Sequence, residues 1–371
     1  MATPCHVVLC EKRYPFPPDH GRATRVVTLA RELRKLRFHV TLLVCTGQSA
    51  TLDDGTHVRA IPGLVWPFRD LVLWFELRKI NRERKVDFLQ VQNDVFVMLA
   101  VLARLTGFHI LYDAQVVERD YWSALPAESF RDVVSSKVMP LCEQILCRLS
   151  ERLSVFSDHD AGRIEQLYRL PAEKVFIIPL SPRQPKESTI SVRSPGPRPV
   201  VLFLGSYGHR PNADAITILR NEIRPRVIRK VPETIFQIVG KDLPVDVLEA
   251  GGLEAHANVD EVTRFIDAAT VCVAPVRVGS GVRTKVVEYL SRGKPVVAMT
   301  PALEGLAVRP GIDLLAADDF DSFADHVVTL IRDSGFRQRI GASGLSRILE
   351  LAGGRAAGRV LPAFYSRGSE P

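Results

Sequence analysis

Between Ala274 and Leu306 the chain reads APVRVGSGVRTKVVEYLSRGKPVVAMTPALEGL. Two cations, Arg283 and Lys285, and a carboxylate, Glu288, follow a Gly279-Ser280-Gly281 turn. Glycines let a ligand come close to the backbone, and the free amides at a helix start attract anions. This cluster suits a diphosphate held by Arg283, Lys285 and those amides. Glu288 then remains for the hydroxyls of a ribose or sugar. The plainer reading is a strand, a turn and a helix with a surface ion pair between Lys285 and Glu288, which lie three residues apart on one flank.

The flanking pattern positions these groups. Val271–Val276 reads as a buried strand. The helix is expected to begin near Gly281, which puts Arg283 in its first turn. Val282, Val286 and Leu290 recur at helical spacing and turn that face to a sheet. Gly293 fits the position just past a helix end, and Pro295 stops continuation. The same alternation runs through the chain. Strands are expected at 6–10, 39–44, 57–61, 88–92, 109–114, 152–157, 175–179, 200–206, 234–240 and 295–299. Helices are expected at 21–37, 67–84, 95–106, 128–149, 213–230, 260–269 and 320–333, with Asn212 as the cap of the helix it precedes. Residues 181–198, rich in Pro, Ser and charge, read as a linker.

Strands alternating with helices imply parallel sheets covered on both faces. Two series imply two Rossmann-like domains, residues 1–180 and 199–355, with a C-terminal segment, 356–371, returning to the first. Ligands are expected outside the carboxyl ends of the strands, in a cleft that the two domains face.

The bulk composition bounds the class. The 371 residues are 46% hydrophobic and 25% charged, as in an ordinary globular protein. Net charge is +7 with no basic tail. There is no phosphate loop of the Walker type, no zinc-finger spacing and no RNA-binding aromatic motif, so nucleic acid is not an expected partner. The six cysteines form no Cys-x-x-Cys pair and read as free thiols of a cytoplasmic protein, with no metal site. No signal peptide is recognised. The longest uncharged apolar run, Val95–Ala103, is too short for a membrane span of about 20 residues. The mixed stripe at Trp66–Phe75 reads first as core. Its second reading, with the cations of Arg78–Lys85, is peripheral contact with an anionic membrane face. Asp158-His-Asp160 reads as a helix start capped by Ser157 or Asp158, not as a metal site.

The span 274–306 resembles the signature of the group 1, or family 4, glycosyltransferases of GT-B fold: G-S-G-x-R-x-K-x-x-E, then G-x-P-V-V and E-G-L. FLGSYGHRPNADAI (203–216), PETIFQIVGKD (232–242) and the first strand, loop and helix at 14–43 are similar to other parts of that family. The resemblance implies an α/β protein of GT-B architecture, with an acceptor-binding N-terminal domain and a donor-binding C-terminal one. It implies a metal-independent, hexosyltransferase-like enzyme without a cofactor. The sugar would pass, with retention of configuration, from a UDP-sugar or GDP-sugar to a carbohydrate, lipid-linked or natural-product acceptor. The donor set it implies is Gly21, Gly205, Ser206, Arg210, Gly240, Val259, Gly281, Arg283, Lys285, Glu288 and Glu304, with His209 a weaker candidate. Arg283 and Lys285 would also stabilise the leaving diphosphate.

Three positions depart from the family pattern. Ser280 stands where the common pattern has its first Glu, although the Gly-Ser-Gly subgroup generally lacks it. Gln115, in YDAQVVERDYW (112–122), stands where an active-site His often follows the Asp. Asp113, Gln115 and Glu118 are the polar candidates there, with Gln115 and Glu118 taken as catalytic. Pro179-Leu180-Ser181 replaces a usual Pro-Asn-Gly. The competing readings are a nucleotide-sugar epimerase on the same fold and a catalytically silent scaffold that binds nucleotide-sugar.

Overall fold

The computed structural model describes residues 4–16, 21–61, 68–92, 94–180, 198–244, 252–259, 261–279, 281–354 and 357–366, with Val247 besides. Ser280, Trp66 and residues 181–197 of the expected linker lie outside the described residues. The chain divides into two compact units. One joins the described residues up to Leu180 with 357–366; the other spans 198–354.

The first unit holds strands β1 (His6–Glu11), β2 (His39–Val44), β3 (Ala50–Thr51), β4 (His57–Ala60), β5 (Phe88–Val91), β6 (Ile110–Asp113), β7 (Arg152–Val155) and β8 (Val175–Ile177). They form one sheet in the order β3-β4-β2-β1-β5-β6-β7-β8. All pairings are parallel except the short β3 edge. Its helices are α1 (Gly21–Lys35), α2 (Phe68–Glu83), α3 (Val97–Leu105), α4 (Glu118–Ala124), α5 (Phe130–Leu149) and α6 (Asp158–Tyr168). Strand residues alternate between two cores. Val8, Leu89 and Tyr112 pack with Leu73, Leu77, Leu99 and Leu146. Val7, Leu9 and Leu111 pack with Val26, Leu29 and Leu33 of α1. Ser157 caps α6 by accepting from the Asp160 amide at 3.1 Å, as its sequence position suggests.

The second unit holds β9 (Val200–Leu204), α7 (Arg210–Ile218), α8 (Arg224–Lys230), β10 (Ile235–Gly240), β11 (Glu254–Ala257), α9 (Thr263–Ala268), β12 (Val271–Ala274), α10 (Thr284–Ser291), β13 (Val296–Ala298), β14 (Leu315–Ala316), α11 (Phe320–Arg332) and α12 (Ser334–Gly354). Its six strands are all parallel, in the order β11-β10-β9-β12-β13-β14. A last helix, α13 (Ala357–Phe364), belongs to the first unit. There Leu361, Phe364 and Tyr365 enter the α1-side core, and Arg152 donates to the Phe364 carbonyl at 2.9 Å.

The structure corrects several expectations. Helix α10 begins at Thr284, so Arg283 is the residue before it rather than part of its first turn. Gly279 and Gly281 have φ of 102° and 82°, a left-handed backbone that no helix continues. Asn212 does not cap α7; it lies inside the first turn, behind His209 and Pro211. The expected helix at 213–230 is interrupted by a π-turn at Leu219–Ile223 ahead of Pro225, which has no amide to donate. In the stripe read first as core, Trp66–Phe75, Leu73 is buried but Phe68, Leu71 and Phe75 are exposed; Leu77 and Ile80, further along α2, are buried. Periodicity leaves α12 unassigned because glycine disfavours helix. Packing reverses that preference: a Cβ at Gly341 would meet the Gly293 carbonyl at 2.3 Å. Gly293 itself closes α10 as its spacing suggests, with φ 66° and the Lys294 amide bonded back to Tyr289 at 3.1 Å.

At the amino ends of β1, β2 and β4 the rings of His6, His39 and His57 follow one another, the first pair edge-on and the second tilted, with centroids 4.6 and 5.0 Å apart. Burial, then the neighbouring His6 and Arg84, lower His39 from 6.5 to about 4. A histidine so depressed resists protonation in the folded state, while the unfolded chain takes up the proton below about 6.5. The first unit is therefore expected to lose stability progressively as pH falls from about 6.5 to about 4. His39→Asn should flatten that dependence in denaturant titrations at several pH values; an unchanged slope would remove His39 from the account.

Candidate functional site

In the second unit the chain winds from β9 outward to β11, then returns to the other side of β9 for β12. The carboxyl ends of β9 and β12 thus flank a topological switch point, where open α/β sheets bind ligands. The Gly205-Ser206 turn leaves β9 there. It is held on one side by β10: the Gly205 amide donates to Val239 and the Tyr207 amide to Lys241, both at 2.9 Å. The Ser206 hydroxyl reaches Asp242 at 3.3 Å. Gly240 is glycine because a Cβ there would sit 1.9 Å from the Gly205 carbonyl oxygen. On the other side Asn212 Nδ2 donates to the Ser206 carbonyl at 2.9 Å. Gly205 makes room for Asn212, whose Cγ a Cβ would approach to 2.8 Å.

Helix α10 locks onto the same turn. Lys285 Nζ donates to Asn212 Oδ1 at 2.7 Å and stands 4.0 Å from the centre of the Phe203 ring. One helical turn later, the Tyr289 hydroxyl accepts from the Leu204 amide at 2.7 Å, an amide at the end of β9 beyond its pairing with β12. Lys285 therefore does not spend its charge on Glu288, contrary to the plainer sequence reading. Burial, and then the nearby Arg283, push the Lys285 ammonium well below its ordinary value. Arg283 is itself buried and donates to the Val278 carbonyl at 3.2 Å. The loop carrying it is fastened to α7 by Arg277, which pairs with both oxygens of Asp214 at 2.8 and 2.9 Å. Two cations thus stand together at the start of a helix that opens on the strand ends.

The remaining donor-side candidates are distributed around this point. Arg210 opens α7. Val259 follows β11, next to the end of β10, where Asn258 donates to the Gly240 carbonyl at 2.9 Å. Glu288 is half-buried on α10, and Glu304 ends a 3₁₀ turn at Thr300–Leu303, before Gly305 at φ 72°. Gly21 opens α1 in the first unit. A cavity of about 380 Å³ also lies at the ends of β12, β13 and β14, lined by Arg277, Met299, Thr300, Pro301, Asp318 and Phe320. Its charged groups have partners: Arg277 on Asp214, and Asp318 on the Thr300 amide and hydroxyl, both at 2.8 Å.

The first unit has its own switch point, between β1 and β5. The pairing register places Glu11, Gln92, Asp113 and Ser154 in one row across the strand ends, on the α1 side of the sheet. Arg25 of α1 closes this row. It binds both oxygens of Asp113 at 2.9 and 3.2 Å and the carbonyl of Ile178 at 2.8 Å. Asp113 is wholly buried and serves this lattice rather than a ligand. Gln115 Nε2 donates to Gln92 Oε1 and Asp113 Oδ2, each at 3.3 Å. Glu118 is separate: it opens α4 and accepts from Trp122 Nε1 at 3.0 Å.

Motif reading took Asn212 only as a helix cap and passed over Arg25, Glu11, Gln92 and Tyr289. Each sits inside an otherwise apolar strand or helix pattern. An arginine at a buried position of α1 was the one available signal, and it is visible only once the helix phase is known.

Residues 20–180 match the family described as Glycosyltransferase Family 4. Residues 198–333 match the family described as Glycosyl transferases group 1. No curated protein matches the sequence. Among solved structures, sucrose-phosphate synthase from Thermosynechococcus elongatus is similar at 12% identity and TM-score 0.78, covering 97% of this chain and 98% of that one. HepE from Anabaena, solved with UDP-glucose, is similar at 12% identity and TM-score 0.72, with 97% and 98% covered. WaaG, a glycosyltransferase involved in lipopolysaccharide biosynthesis, gives 14%, 0.68, 95% and 99%. Each unit thus matches a glycosyltransferase family, family 4 over the first and group 1 over the second, and the two Rossmann-like domains have the GT-B fold.

The Gly205 turn is the most tightly specified part of this arrangement. Gly240→Ala should force it out of place and cost about 1–3 kcal/mol, the usual range for overpacking. A melting curve of the full chain checks this; a wild-type transition would mean that the turn has slack the distances do not show.

Proposed function

We propose that this glycosyltransferase moves a sugar from a nucleoside-diphosphate donor to a hydroxylated acceptor, with retention of configuration. The second unit takes the donor and the first takes the acceptor. One observation carries the reading: Lys285 is sunk beside Arg283 at the switch point, without a carboxylate on its ammonium. A diphosphate between the two cations would relieve their repulsion and raise the Lys285 ammonium back toward its ordinary value. The Gly205–Ser206 turn, and Gly281 ahead of α10, allow close approach. Glu288 holds the ribose hydroxyls, and Gly240 and Val259 line the base. Negative charge grows on the diphosphate as the glycosidic bond breaks, so these groups hold the transition state more tightly than the ground state. Metal independence is part of the proposal, because the cations stand where that charge develops. UDP-glucose in the HepE structure supports a nucleotide-sugar donor of this class.

A second reading is a nucleotide-sugar-binding scaffold without turnover. Gln115 favours it, since an amide cannot carry a proton as a histidine does. Turnover with any acceptor decides against the scaffold.

Among the described residues no helix is long and apolar enough to cross a membrane. The reading includes peripheral contact with an anionic lipid face, through exposed Phe68, Leu71 and Phe75 and the cations Arg78, Lys79 and Arg82 on later turns of α2. Cosedimentation with anionic vesicles should weaken as salt rises. Binding that ignores salt, or is absent, counts against it.

The donor assignment is tested by calorimetric titration with UDP and GDP. Hydrogen bonds to charged groups are worth about 1.5–3 kcal/mol, so Arg283→Ala or Lys285→Ala should each weaken binding by roughly 10–150-fold. Binding should also draw a proton onto Lys285, and affinity should fall as pH rises. Titrations in two buffers of different ionisation heat detect that uptake, and Lys285→Met should abolish it. Wild-type affinity in both alanine variants would refute the assignment.

A further inference from the structure

At the switch point of the first unit, three buried side chains have bonding capacity that no described residue uses. Glu11 Oε1 accepts from the Lys12 amide at 2.7 Å, but Oε2 has no partner among the described residues. Gln92 Oε1 accepts from Gln115, but Gln92 Nε2 has no partner. Gln115 spends its amide nitrogen on Gln92 and Asp113, and its Oε1 has no partner. Their relative exposures are 5%, 0% and 8%. An unmet buried polar group normally costs about as much as a lost hydrogen bond, and native interiors keep few of them. Three on adjoining strand ends are not scatter. Gln90, which also has an unmet nitrogen, is different: it lies one pleat deeper, under the Tyr365 hydroxyl that donates to it.

We propose that Glu11, Gln92 and Gln115 form a subsite for a neutral, hydroxylated part of the acceptor, a pair of sugar or polyol hydroxyls. The proposal rests on the transferase reading above for the word acceptor. The unmet set is one carboxyl oxygen, one amide carbonyl and one amide nitrogen. Hydroxyls both donate and accept, so a vicinal pair satisfies all three. An anionic group would face the Glu11 carboxyl and the Gln115 carbonyl. A cationic group would face the Gln92 amide, with Arg25 close behind it on Asp113. The lattice fixes the floor: Arg25 holds Asp113, Asp113 holds Gln115, and Gln115 holds Gln92. Entry asks little of the protein, because the terminal torsions of Glu and Gln are broad and turn the oxygens outward at small cost.

The test uses the full chain and four probes: methyl α-glucoside, methyl α-mannoside, glucose 6-phosphate and glucuronate, followed by saturation-transfer NMR. A neutral glycoside should bind, and better than the two anions. Glu11→Met and Gln92→Met remove unmet atoms at nearly constant shape. Each should weaken glycoside binding roughly 2–12-fold, the worth of one net hydrogen bond, and melting should hold or rise. If their double variant does not fold, Gln115→Met must show the same split between binding and melting. No glycoside binding in the wild type, stronger binding of the anions, or binding that survives the variants overturns the subsite. UDP titration runs alongside: glycoside binding without any nucleotide binding would sink the transferase reading and leave the subsite standing.

Discussion

The ammonium of Lys285 is held by a carbonyl oxygen and an aromatic face instead of a carboxylate. Burying a cation on such terms is costly, since neither partner carries a full opposing charge. The cost falls on the elements that must meet for it. Phe203 comes from β9, Asn212 from α7 and Lys285 from α10, so a single contact sets the positions of two helices against one strand end. Gly205 and Gly240 exist in this sequence because that meeting leaves no room for a Cβ. Tyr289 completes the junction by taking the last unpaired amide of β9. The result joins β9, α7 and α10 at one point, with two cations beside it.

The first unit solves a related problem with a complete ion pair. Arg25 crosses from α1 to Asp113 on β6 and also collects the carbonyls of Ile178 and Pro179. The Phe156 ring lies 4.9 Å from its guanidinium. A pair this deep gains little net stability over an apolar pair of equal shape, yet breaking one side costs about 3–5 kcal/mol. Its value lies in position: it ties the helix on one face of the sheet to three strand ends. Gln115 and Gln92 are aimed by it rather than by apolar packing.

Both units therefore place a cation at the switch point of a parallel sheet, half-buried in the second and fully buried in the first, with opposite consequences. In the second unit the cation is left short of negative charge, which suits a phosphate ligand. In the first it is saturated by Asp113, and what remains unmet around it is one carboxyl oxygen and the two ends of an amide pair. Under the proposed transfer reaction, a donor that leaves as an anion and an acceptor that attacks through a hydroxyl would need that difference. The absence of an acid–base side chain at Gln115 agrees with a site built for orientation.

The sequence alone determined the alternating strands and helices, the two parallel sheets and the turn-helix with Arg283, Lys285 and Glu288. These are local signals: apolar spacing, glycine at strand ends, Gly293 and Pro295 after a helix. Glycine-rich α12 went unassigned: the Gly341 that weakens its local helix preference is required where a Cβ would meet the Gly293 carbonyl at 2.3 Å. Side-chain partners were out of reach. Lys285 could as well have paired with Glu288, three residues away, and Asn212 could have capped a helix. Only the fold decided that Lys285 takes Asn212, 73 residues distant, and that Arg25 takes Asp113, 88 residues distant. Hydrogen bonds of that kind depend on strand order and register, which no short window of sequence encodes.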